Sequence, residues 1–335
     1  FKIIIVIMLK KNLRRGWTTG ACATAAAKAA FIGLMTGKCP DEVTIKLPNG
    51  QSPKFNIAYQ NAGHQSMSAG VIKDAGDDPD VTDGLLIITE IVKRNDQMGI
   101  NFKAGSGVGI IRLPGLPLEV GEPAINPGPR KMIEDNLKEL SIAKNNLDID
   151  IIIEVPEGKE ISKKTWNERL GILNGISILG TTGIVIPFSC AAWIHSIHRG
   201  IDVAIKTNTT HIAACTGSVS ERVAKKEYNL PPQSMIDMGD FVGGMLKYLK
   251  KNTVPRVTIA GGFAKLLKLS QGELDLHSSR SQVNLEKLRS EIEKLNLNNT
   301  PNAWEMISSP TINRRKVYPN TIKNLLFSLF ASTIF

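Results

Sequence analysis

Thr216, Gly217 and Ser218 join an apolar run to a segment with helical spacing, and Asp237 ends the next apolar run about 20 residues after Gly217. This separation matches that between a nucleotide-binding turn and the acidic residue that binds the ribose hydroxyls. The turn lacks the full glycine set of that motif, so an ordinary βαβ turn with Asp237 as a helix cap is the alternative. The spacing indicates a candidate nucleotide site at the carboxyl ends of two strands.

A second candidate site lies in the glycine-rich stretch 165–187, TWNERLGILNGISILGTTGIVIP. Its β-branched residues favour a buried strand, whereas its glycines permit backbone approaches that a side chain would block. One interpretation is a buried turn pressed against a ligand, and the other is a glycine-rich turn within a core. The residues concerned are Gly171, Gly175, Gly180, Thr181, Thr182 and Gly183.

Two arginines, Arg14 and Arg15, precede the alanine-rich segment ACATAAAKAAFIGLM, which has a strong intrinsic preference for helix. Thr18 or Thr19 is a natural N-cap for that helix. Free amides and partial positive charge at a helix N-terminus, with arginines beside it, predict an anion site. A capped core helix with arginines that face solvent is an equally good interpretation.

Histidine and acidic residues give further candidates. His277 is flanked by hydroxyl side chains in a loop and could transfer a proton. His195 and His198 could form a metal pair, but no further ligand lies at helical spacing, so an exposed helix face is favoured. The acidic segment 74–84 lacks the offsets of a calcium loop. It is interpreted as a solvated turn, with a substrate or cofactor loop as the alternative.

The string GSGVG at 105–109 invites a dinucleotide interpretation, which we reject because Pro114 and Pro117 follow where that motif needs a helix. A hairpin or a bulge is expected there instead.

Composition narrows the class of protein. The chain has 335 residues, 42% of them hydrophobic, which favours two globular domains. Its net charge of +10 favours anionic ligands. Scattered basic residues and 5% aromatics argue against nucleic acid. The apolar run 3–9 is too short to span a membrane. Four cysteines without a C-x-x-C pair indicate neither a zinc ribbon nor a disulfide scaffold, so a cytoplasmic protein is expected.

The elements that would position these residues fall into two domains. Residues 10–190 predict an α+β domain with several short strands and hairpins, including a hairpin of 43–47 with 54–59 and a helix 130–140 that starts at Pro129. Residues 191–300 predict a Rossmann-like α/β domain in which strands and helices alternate. Residues 301–335 form an atypical C-terminal tail. The strands expected in the second domain are 201–206, 211–215, 235–239 and 257–260, and the helices are 219–228, 240–251, 263–270 and 283–296.

Several strings together resemble the cobalt-precorrin-5B methyltransferase family of anaerobic cobalamin biosynthesis. The most specific are GISILGTTGIV (175–185) and GEPAINP (121–127). The others are RRGWTTGACATAAAKAA (14–30), KDAGDDPDVTDG (73–84), FAKLLKLSQGELDLHSSRS (263–281) and NTPNA (299–303). The chain departs from the family pattern at Ile186, where an acidic residue is usual, and after NTPNA, where further strand and helix are usual.

The resemblance implies transfer of a methyl group from S-adenosylmethionine to carbon 1 of the corrin ring, which gives cobalt-precorrin-6A. A cobalt tetrapyrrole fringed with carboxylates suits the net charge of +10. A homo-oligomer is compatible with the sequence, and no metal-binding residues are expected. A non-catalytic tetrapyrrole- or nucleotide-binding protein of the same fold is the alternative.

The sequence and the resemblance together predict two sets of site residues. His277 is expected to handle a proton. The donor is expected at Gly217, Ser218, Asp237, Gly261 and Gly262. The ring is expected between the two domains, on Arg14, Arg15, Thr18, Thr19, Asn126, Arg130, Gly175, Gly180, Thr181, Thr182 and Gly183. Guanidinium groups suit carboxylates because they can form two parallel hydrogen bonds.

Overall fold

The computed structural model of the chain describes residues 13–140 and 147–294. The chain divides into two compact units, with the division between Cys190 and Ala191. The predicted tail at 301–335 and the NTPNA string lie outside the described residues. Within the described ranges, no helix is both long enough and apolar enough to cross a bilayer.

The first unit contains many short strands and three helices within its described residues, followed by the start of a fourth helix. In chain order these are β1 (Gly16–Trp17), α1 (Thr19–Thr36), β2 (Glu42–Thr44), β3 (Lys54–Asn56), β4 (Tyr59–Ala62), β5 (Ser66–Ile72), β6 (Leu86–Lys93), β7 (Ile100–Ala104), β8 (Ile110–Ile111), α2 (Pro127–Lys138), β9 (Ile149–Glu154), α3 (Gly158–Ser162), β10 (Ile172–Leu173) and β11 (Ile184–Val185).

A five-stranded sheet in the order β4-β5-β6-β9-β7 forms the centre of this unit. Its neighbouring strands are antiparallel except for β7 and β9, which are parallel. Helix α1 packs against β5 and β6, and α2 packs against α1. The result is an α+β unit, as the sequence predicts for this part of the chain.

Helix α1 is buried on nearly all sides, which explains its composition. All seven of its alanines, which lie between Ala21 and Ala30, have no exposed surface. Alanine allows sheet and helix to approach closely on every face. Thr89 of β6 donates a hydrogen bond of 3.1 Å to the carbonyl of Ala23. The predicted helix is confirmed, and the helix is part of the core.

Several local predictions for the first unit are confirmed, and others need correction. The hairpin is confirmed, because β2 pairs with β3 and Val43 lies opposite Phe55. The string GSGVG is followed by β8 and not by a helix, which confirms that the dinucleotide interpretation does not apply here. Helix α2 begins at Pro127, earlier than predicted, because both prolines fall in its first turn, where no amide hydrogen bond is lost.

The glycine-rich stretch 165–187 contains little strand, contrary to the expectation from its β-branched residues. Its strands β10 and β11 have two residues each, and Ile176 and Ile178 form isolated bridges to Val108 and Ile125. Strand β10 pairs with β8, and β11 pairs with β1. The segment is therefore a winding backbone that contacts several elements.

The second unit alternates helix and strand. Its elements are α4 (Cys190–Lys206), β12 (His211–Cys215), α5 (Ser218–Tyr228), β13 (Met235–Asp237), α6 (Val242–Leu249), β14 (Arg256–Ala260), α7 (Phe263–Ser270) and α8 (Leu285–Lys294). The predicted strand 201–206 is wrong, since these residues end α4. Ile197, Ile201 and Ala204 recur at helical spacing and are buried, so packing overrides the β preference of the isoleucines.

The three strands of this unit form a parallel sheet in the order β13-β12-β14. In each half of a dinucleotide-binding fold, the third strand in chain order lies beside the second. Here the third strand, β14, lies beside the first, β12. The chain thus reverses direction across the sheet after β13. The structure shows a parallel α/β sheet, but its order differs from the predicted Rossmann type.

A buried lysine joins the acidic segment 74–84 to the core. The Lys73 side chain is 1% exposed, and its Nζ donates to Asp80 Oδ2 at 2.8 Å. The amide and hydroxyl of Thr82 donate to the other oxygen of Asp80. Burial raises the pKa of Asp80, but the charge of Lys73 and these hydrogen bonds outweigh it, so this pKa lies below its ordinary value.

We expect Asp80→Asn to lower the free energy of unfolding by about 3 kcal/mol at pH 7, because it leaves a buried ammonium group without its counter-charge. A depressed folded-state pKa stabilises the protein above the unfolded pKa of about 3.9, and that contribution is lost as pH falls through the folded value. Urea unfolding from pH 7 to pH 3 should therefore show the two proteins converging at low pH. Asp135→Asn, in an exposed helical ion pair, is the control. Equal stability of Asp80→Asn and wild type at pH 7 would contradict this assignment.

Candidate functional site

The glycines of the segment 171–183 make close contacts with other parts of the protein. A Cβ on Gly175 would lie 2.3 Å from the carbonyl oxygen of Gly107, and one on Gly183 would lie 2.6 Å from the side chain of Leu47. Gly171 is equally confined by Leu113. These three glycines are buried, so the structure accounts for them by packing within the protein. Their burial leaves little surface for the predicted contact of Gly175 and Gly183 with the ring.

Gly180 has a different position, since it is partly exposed while its backbone presses on the start of α1. A Cβ at this glycine would lie 2.3 Å from Thr18 Oγ1, and its φ of 116° also disfavours a side chain. Thr181 and Thr182 follow it and are exposed. Of the predicted ring wall, the part that reaches the surface is therefore 180–182.

Thr18 and Thr19 are committed to the fold. Thr18 Oγ1 accepts from the Ala21 amide at 3.2 Å, which is the predicted N-cap. Thr19 Oγ1 accepts from the Leu179 amide at 2.9 Å, and the Gly20 amide donates to the Leu179 carbonyl at 2.9 Å. Both threonines are buried. The segment around Leu179 thus occupies the helix terminus at which the sequence predicted an anion, and the two threonines hold that segment.

Two of the predicted carboxylate-binding arginines already have partners inside the protein. Arg14 contacts both carboxylate oxygens of Asp74, and this interaction holds the pKa of Asp74 below its ordinary value. Arg130 donates to Glu122 Oε1 at 3.0 Å and to the Ile125 carbonyl at 2.8 Å. Because these guanidinium groups are neutralised and oriented by the protein, we assign them a supporting role instead of the predicted contact with substrate.

Arg15 differs from its neighbour. It is exposed, and within the described residues no hydrogen bond or ion pair engages its guanidinium group. Gly16 pairs with Val185 across two antiparallel strands, and continuation of that register puts Arg15 opposite Ile186. Ile186 is 54% exposed and carries no charge. The first unit therefore presents a cation beside an apolar side chain.

Asn126 lies near the exposed threonines. Its amide donates to the Ile178 carbonyl at 2.9 Å, and its side chain makes no capping hydrogen bond to α2. A Cβ on Gly128, two residues later, would lie 3.3 Å from the Cα of Thr181. The start of α2 and the segment 180–182 are therefore neighbours, and they bring one amide and two hydroxyl side chains to one part of the first unit.

In the second unit, the loops that follow the three parallel strands meet at one sheet edge. The Thr216 amide donates to the Ala260 carbonyl, and the Met238 amide donates to the Cys215 carbonyl, each at 2.9 Å. Gly261 touches Thr216, as a Cβ there would lie 3.0 Å from its methyl group. The structure thus brings the surroundings of Gly217, Asp237 and Gly261 together, and ligands bind at such edges in open α/β sheets.

Two glycines at this edge have open space where a side chain would be. No atom lies within 4 Å of a Cβ built on Gly217 or on Gly262. They differ in this from the buried glycines of the first unit, although glycines in exposed turns share the property. Ser218 begins α5 and is exposed. Bare backbone at the start of two helices can approach a ligand closely.

An ion pair that the sequence analysis missed ties this edge together. Lys265 Nζ lies 2.8 Å from Asp240 Oδ1 and 3.4 Å from the Thr216 carbonyl oxygen, to which it donates. It therefore links α7 to the loops after β12 and β13. Nothing in the local sequence of Lys265 or Asp240 indicates the pairing, which depends on how the strands are ordered.

Asp237 ends β13, as predicted, and has a tryptophan beside it that the sequence analysis also missed. Asp237 Oδ1 accepts a hydrogen bond of 3.3 Å from the Gly239 amide, and its carbonyl accepts one of 3.3 Å from Trp193 Nε1. The chain has only four tryptophans, and Trp193 lies in the same helix as His195 and His198. Its rarity was the available signal.

The three histidines considered as candidates each make local contacts within the second unit. His277 is exposed, and its Nδ1 accepts from the Ser279 amide at 3.2 Å and lies 2.7 Å from the Ser279 hydroxyl. His198 stacks on Tyr248 with ring centres 3.9 Å apart. Burial and the charge of Arg199 lower the pKa of His195. Within the described residues, no three His, Cys, Asp or Glu side chains group as a metal site would need.

These features define a mixed α/β protein with a candidate ligand edge in its second unit and exposed polar groups in its first. A family model described as CbiD matches residues 7–187. A cobalt-precorrin-5B C(1)-methyltransferase from Agrobacterium fabrum is 56% identical over 278 residues, which cover 83% of this chain and 73% of that protein. The protein of the same name from Paramagnetospirillum magneticum is 55% identical over 288 residues, 85% of this chain and 80% of that one.

The chain therefore belongs to the CbiD family, which confirms the resemblance seen in its motifs. A crystal structure of a cobalamin biosynthesis protein (cbiD) from Archaeoglobus fulgidus aligns with a TM-score of 0.43 and 29% identity, over 80% of this chain and 83% of that one.

The two kinds of glycine can be told apart by substitution. We expect Gly175→Ala to lower the free energy of unfolding by about 3 kcal/mol, because its Cβ would overlap the backbone of Gly107. Gly262→Ser should change that energy by less than about 0.5 kcal/mol, because the position is open and serine is favoured at a helix N-cap. Urea unfolding measures both. A stable Gly175→Ala protein would contradict the packing role.

Proposed function

We propose that this chain transfers a methyl group from S-adenosylmethionine to carbon 1 of cobalt-precorrin-5B, in cobalamin biosynthesis. The observation that carries the proposal is the identity of 55–57% with proteins named cobalt-precorrin-5B C(1)-methyltransferase, over more than four fifths of this chain. Their name states the substrate and the carbon, and S-adenosylmethionine is the donor that such a transfer most simply uses. The proposed setting is the cytoplasm, where the four free cysteines stay reduced.

The donor is proposed to bind at the carboxyl edge of the parallel sheet in the second unit. This unit would bind a nucleoside although its strand order differs from that of a dinucleotide-binding fold. Gly217, Gly261 and Gly262 would let it approach the backbone, and Ser218 adds the first amide of α5. Asp237 would accept the ribose hydroxyls. The open space at Gly217 and Gly262 supports this fit. When bound, the donor supplies a methyl group already activated on a sulfonium sulfur, which keeps the electron pair of the broken bond.

Because the methyl group arrives activated, the protein needs no nucleophilic side chain. Its residues must align donor and acceptor and exclude water, and correct alignment alone can supply several kcal/mol. When Nδ1 of a neutral His277 accepts from the Ser279 amide, Nε2 already carries a hydrogen. A proton that leaves the ring after methylation would therefore be taken up at Nδ1, in exchange for that hydrogen bond.

The ring is proposed to bind on the exposed groups of the first unit. Arg15 would pair with a carboxylate, while Asn126, Thr181 and Thr182 would hydrogen-bond to other fringe groups. Ile186 would contact an apolar part of the ring. Arg14, Arg130, Thr18, Thr19 and the buried glycines hold these groups in place, as their contacts within the protein suggest.

Transfer of a labelled methyl group tests the function directly. With labelled S-adenosylmethionine and cobalt-precorrin-5B, the protein should give a labelled ring product and S-adenosylhomocysteine. Asp237→Asn should weaken donor binding about tenfold or more, because neutral Asn loses charge-assisted hydrogen bonds to the ribose. Calorimetry with S-adenosylhomocysteine measures this, with Asp135→Asn as control. Binding of both ligands without transfer would favour the non-catalytic alternative, and unchanged affinity of Asp237→Asn would move the donor elsewhere.

Arg15 and an exposed lysine on α2 give a matched test of ring binding. Arg15→Gln should raise KM for the tetrapyrrole about tenfold without changing the melting temperature, because it removes a free cation and no contact within the protein. Lys131→Gln, which removes the charge of an exposed residue on α2, should change neither quantity by much. Steady-state kinetics and thermal unfolding distinguish the outcomes. An unchanged KM for Arg15→Gln would remove Arg15 from the site.

A further inference from the structure

Trp193 is a large aromatic side chain held at the edge of the sheet in the second unit. It lies in the first turn of α4, and its Nε1 donates to the Asp237 carbonyl at 3.3 Å. Its ring packs against Gly239, where a Cβ would lie 3.4 Å from three of the indole atoms. Phe241 lies nearby, with ring centres 6.4 Å apart at 48°.

The same side chain remains 41% exposed, although it is among the largest apolar groups of the chain. A tryptophan that served only to fill the core would be covered more fully. Here one side of the indole contacts the turn after β13, and a large part of its surface faces solvent. The hydrogen bond to Asp237 and the contact with Gly239 orient the ring, so little further ordering is needed when a ligand stacks on it.

Gly239 contributes to this arrangement through its backbone. Its φ of 53° is a conformation that side chains disfavour, and it turns the chain under the indole. The turn that presents the Asp237 carboxylate therefore also seats the Trp193 ring. A flat aromatic surface and an acceptor for hydroxyl groups thus occupy one place, which is the combination that a nucleoside needs.

We propose that the exposed surface of the Trp193 indole stacks on the adenine of the methyl donor, beside the Asp237 carboxylate that accepts the ribose hydroxyls. This inference rests on the proposed function, and it adds a specificity-determining residue to the donor site. Stacking on an aromatic side chain is worth roughly tenfold to a hundredfold in affinity when alanine replaces it.

Fluorescence and calorimetry on the full-length protein test the inference. S-adenosylhomocysteine and adenosine should each quench part of the tryptophan emission of the wild type. That quenching should be lost in Trp193→Phe, which keeps an aromatic ring and should bind S-adenosylhomocysteine within about threefold of wild type. Trp166→Phe, in the first unit, is the matched control and should keep the quenching. Trp193→Ala should weaken both ligands at least tenfold, and homocysteine, which lacks the nucleoside, should not quench.

The outcomes separate this inference from the function on which it rests. If Trp193→Ala bound S-adenosylhomocysteine as the wild type does, or if quenching persisted in Trp193→Phe, the stacking role would be refuted while methyl transfer stood. Quenching by the tetrapyrrole alone would likewise refute it and assign Trp193 to the ring. If the wild type neither bound S-adenosylhomocysteine nor transferred a methyl group, the proposed function would fail and this inference with it. Should Trp193→Ala not fold, the phenylalanine variant alone decides.

Discussion

Direct contact of backbone with backbone is the constraint on which the first unit depends. Gly107 lies so close to Gly175 and to Gly158 that a Cβ on either would come within 2.3 Å of its carbonyl oxygen. Gly16 and Gly76 are pressed together in the same way. Such contacts join segments that are distant in sequence without a side chain between them. They let the winding segment 171–183 reach the start of α1, where its carbonyl groups satisfy amides that would otherwise need water or a ligand.

The same close backbone contacts determine which partners the charged residues of this unit find. The acidic segment 74–84 binds cations and amides that the close backbone contacts bring to it. Asp74 holds Arg14, Asp80 holds the buried Lys73, and Asp78 accepts from the Phe188 amide at 2.8 Å. The segment thus acts as an anchor for the residues just before β1 and just after β11. Since the anchor uses Arg14 and leaves Arg15 exposed, one arginine of the pair orients the strand and the other remains available.

The sequence allowed a good prediction where local physics decides the structure. Alanine content and a threonine cap are sufficient for α1, and the alternation of β-branched runs with helical spacing is sufficient for β12, α5, β14 and α7.

Prediction from the sequence failed at 201–206, where isoleucines with a high strand preference complete an amphipathic helix. The sequence could not distinguish the packed Gly175 from the open Gly262, because a glycine indicates only that a Cβ is either not tolerated or not needed at that position. Whether the protein or a ligand fills the space beside a glycine depends on contacts between residues more than 60 positions apart in sequence, such as Gly175 and Gly107. The contact of Trp193 with Asp237 was missed for the same reason, since the two residues are 44 positions apart.

The order of strands in the second unit decides what its edge can bind. Because β14 lies beside β12 and not beside β13, the loops after β12 and β14 meet where the sheet reverses direction, and such a switch point is where α/β sheets hold polar groups of ligands. Asp237 and Trp193 lie on the other side of β12, at the end of β13. A ligand that spans this edge would then present a small polar end to the glycines at 217 and 261–262, and a nucleoside end to the carboxylate and the indole. A methyl donor built from an amino acid joined to adenosine has these two ends, so under the proposed function one edge of three strands would suffice to orient it.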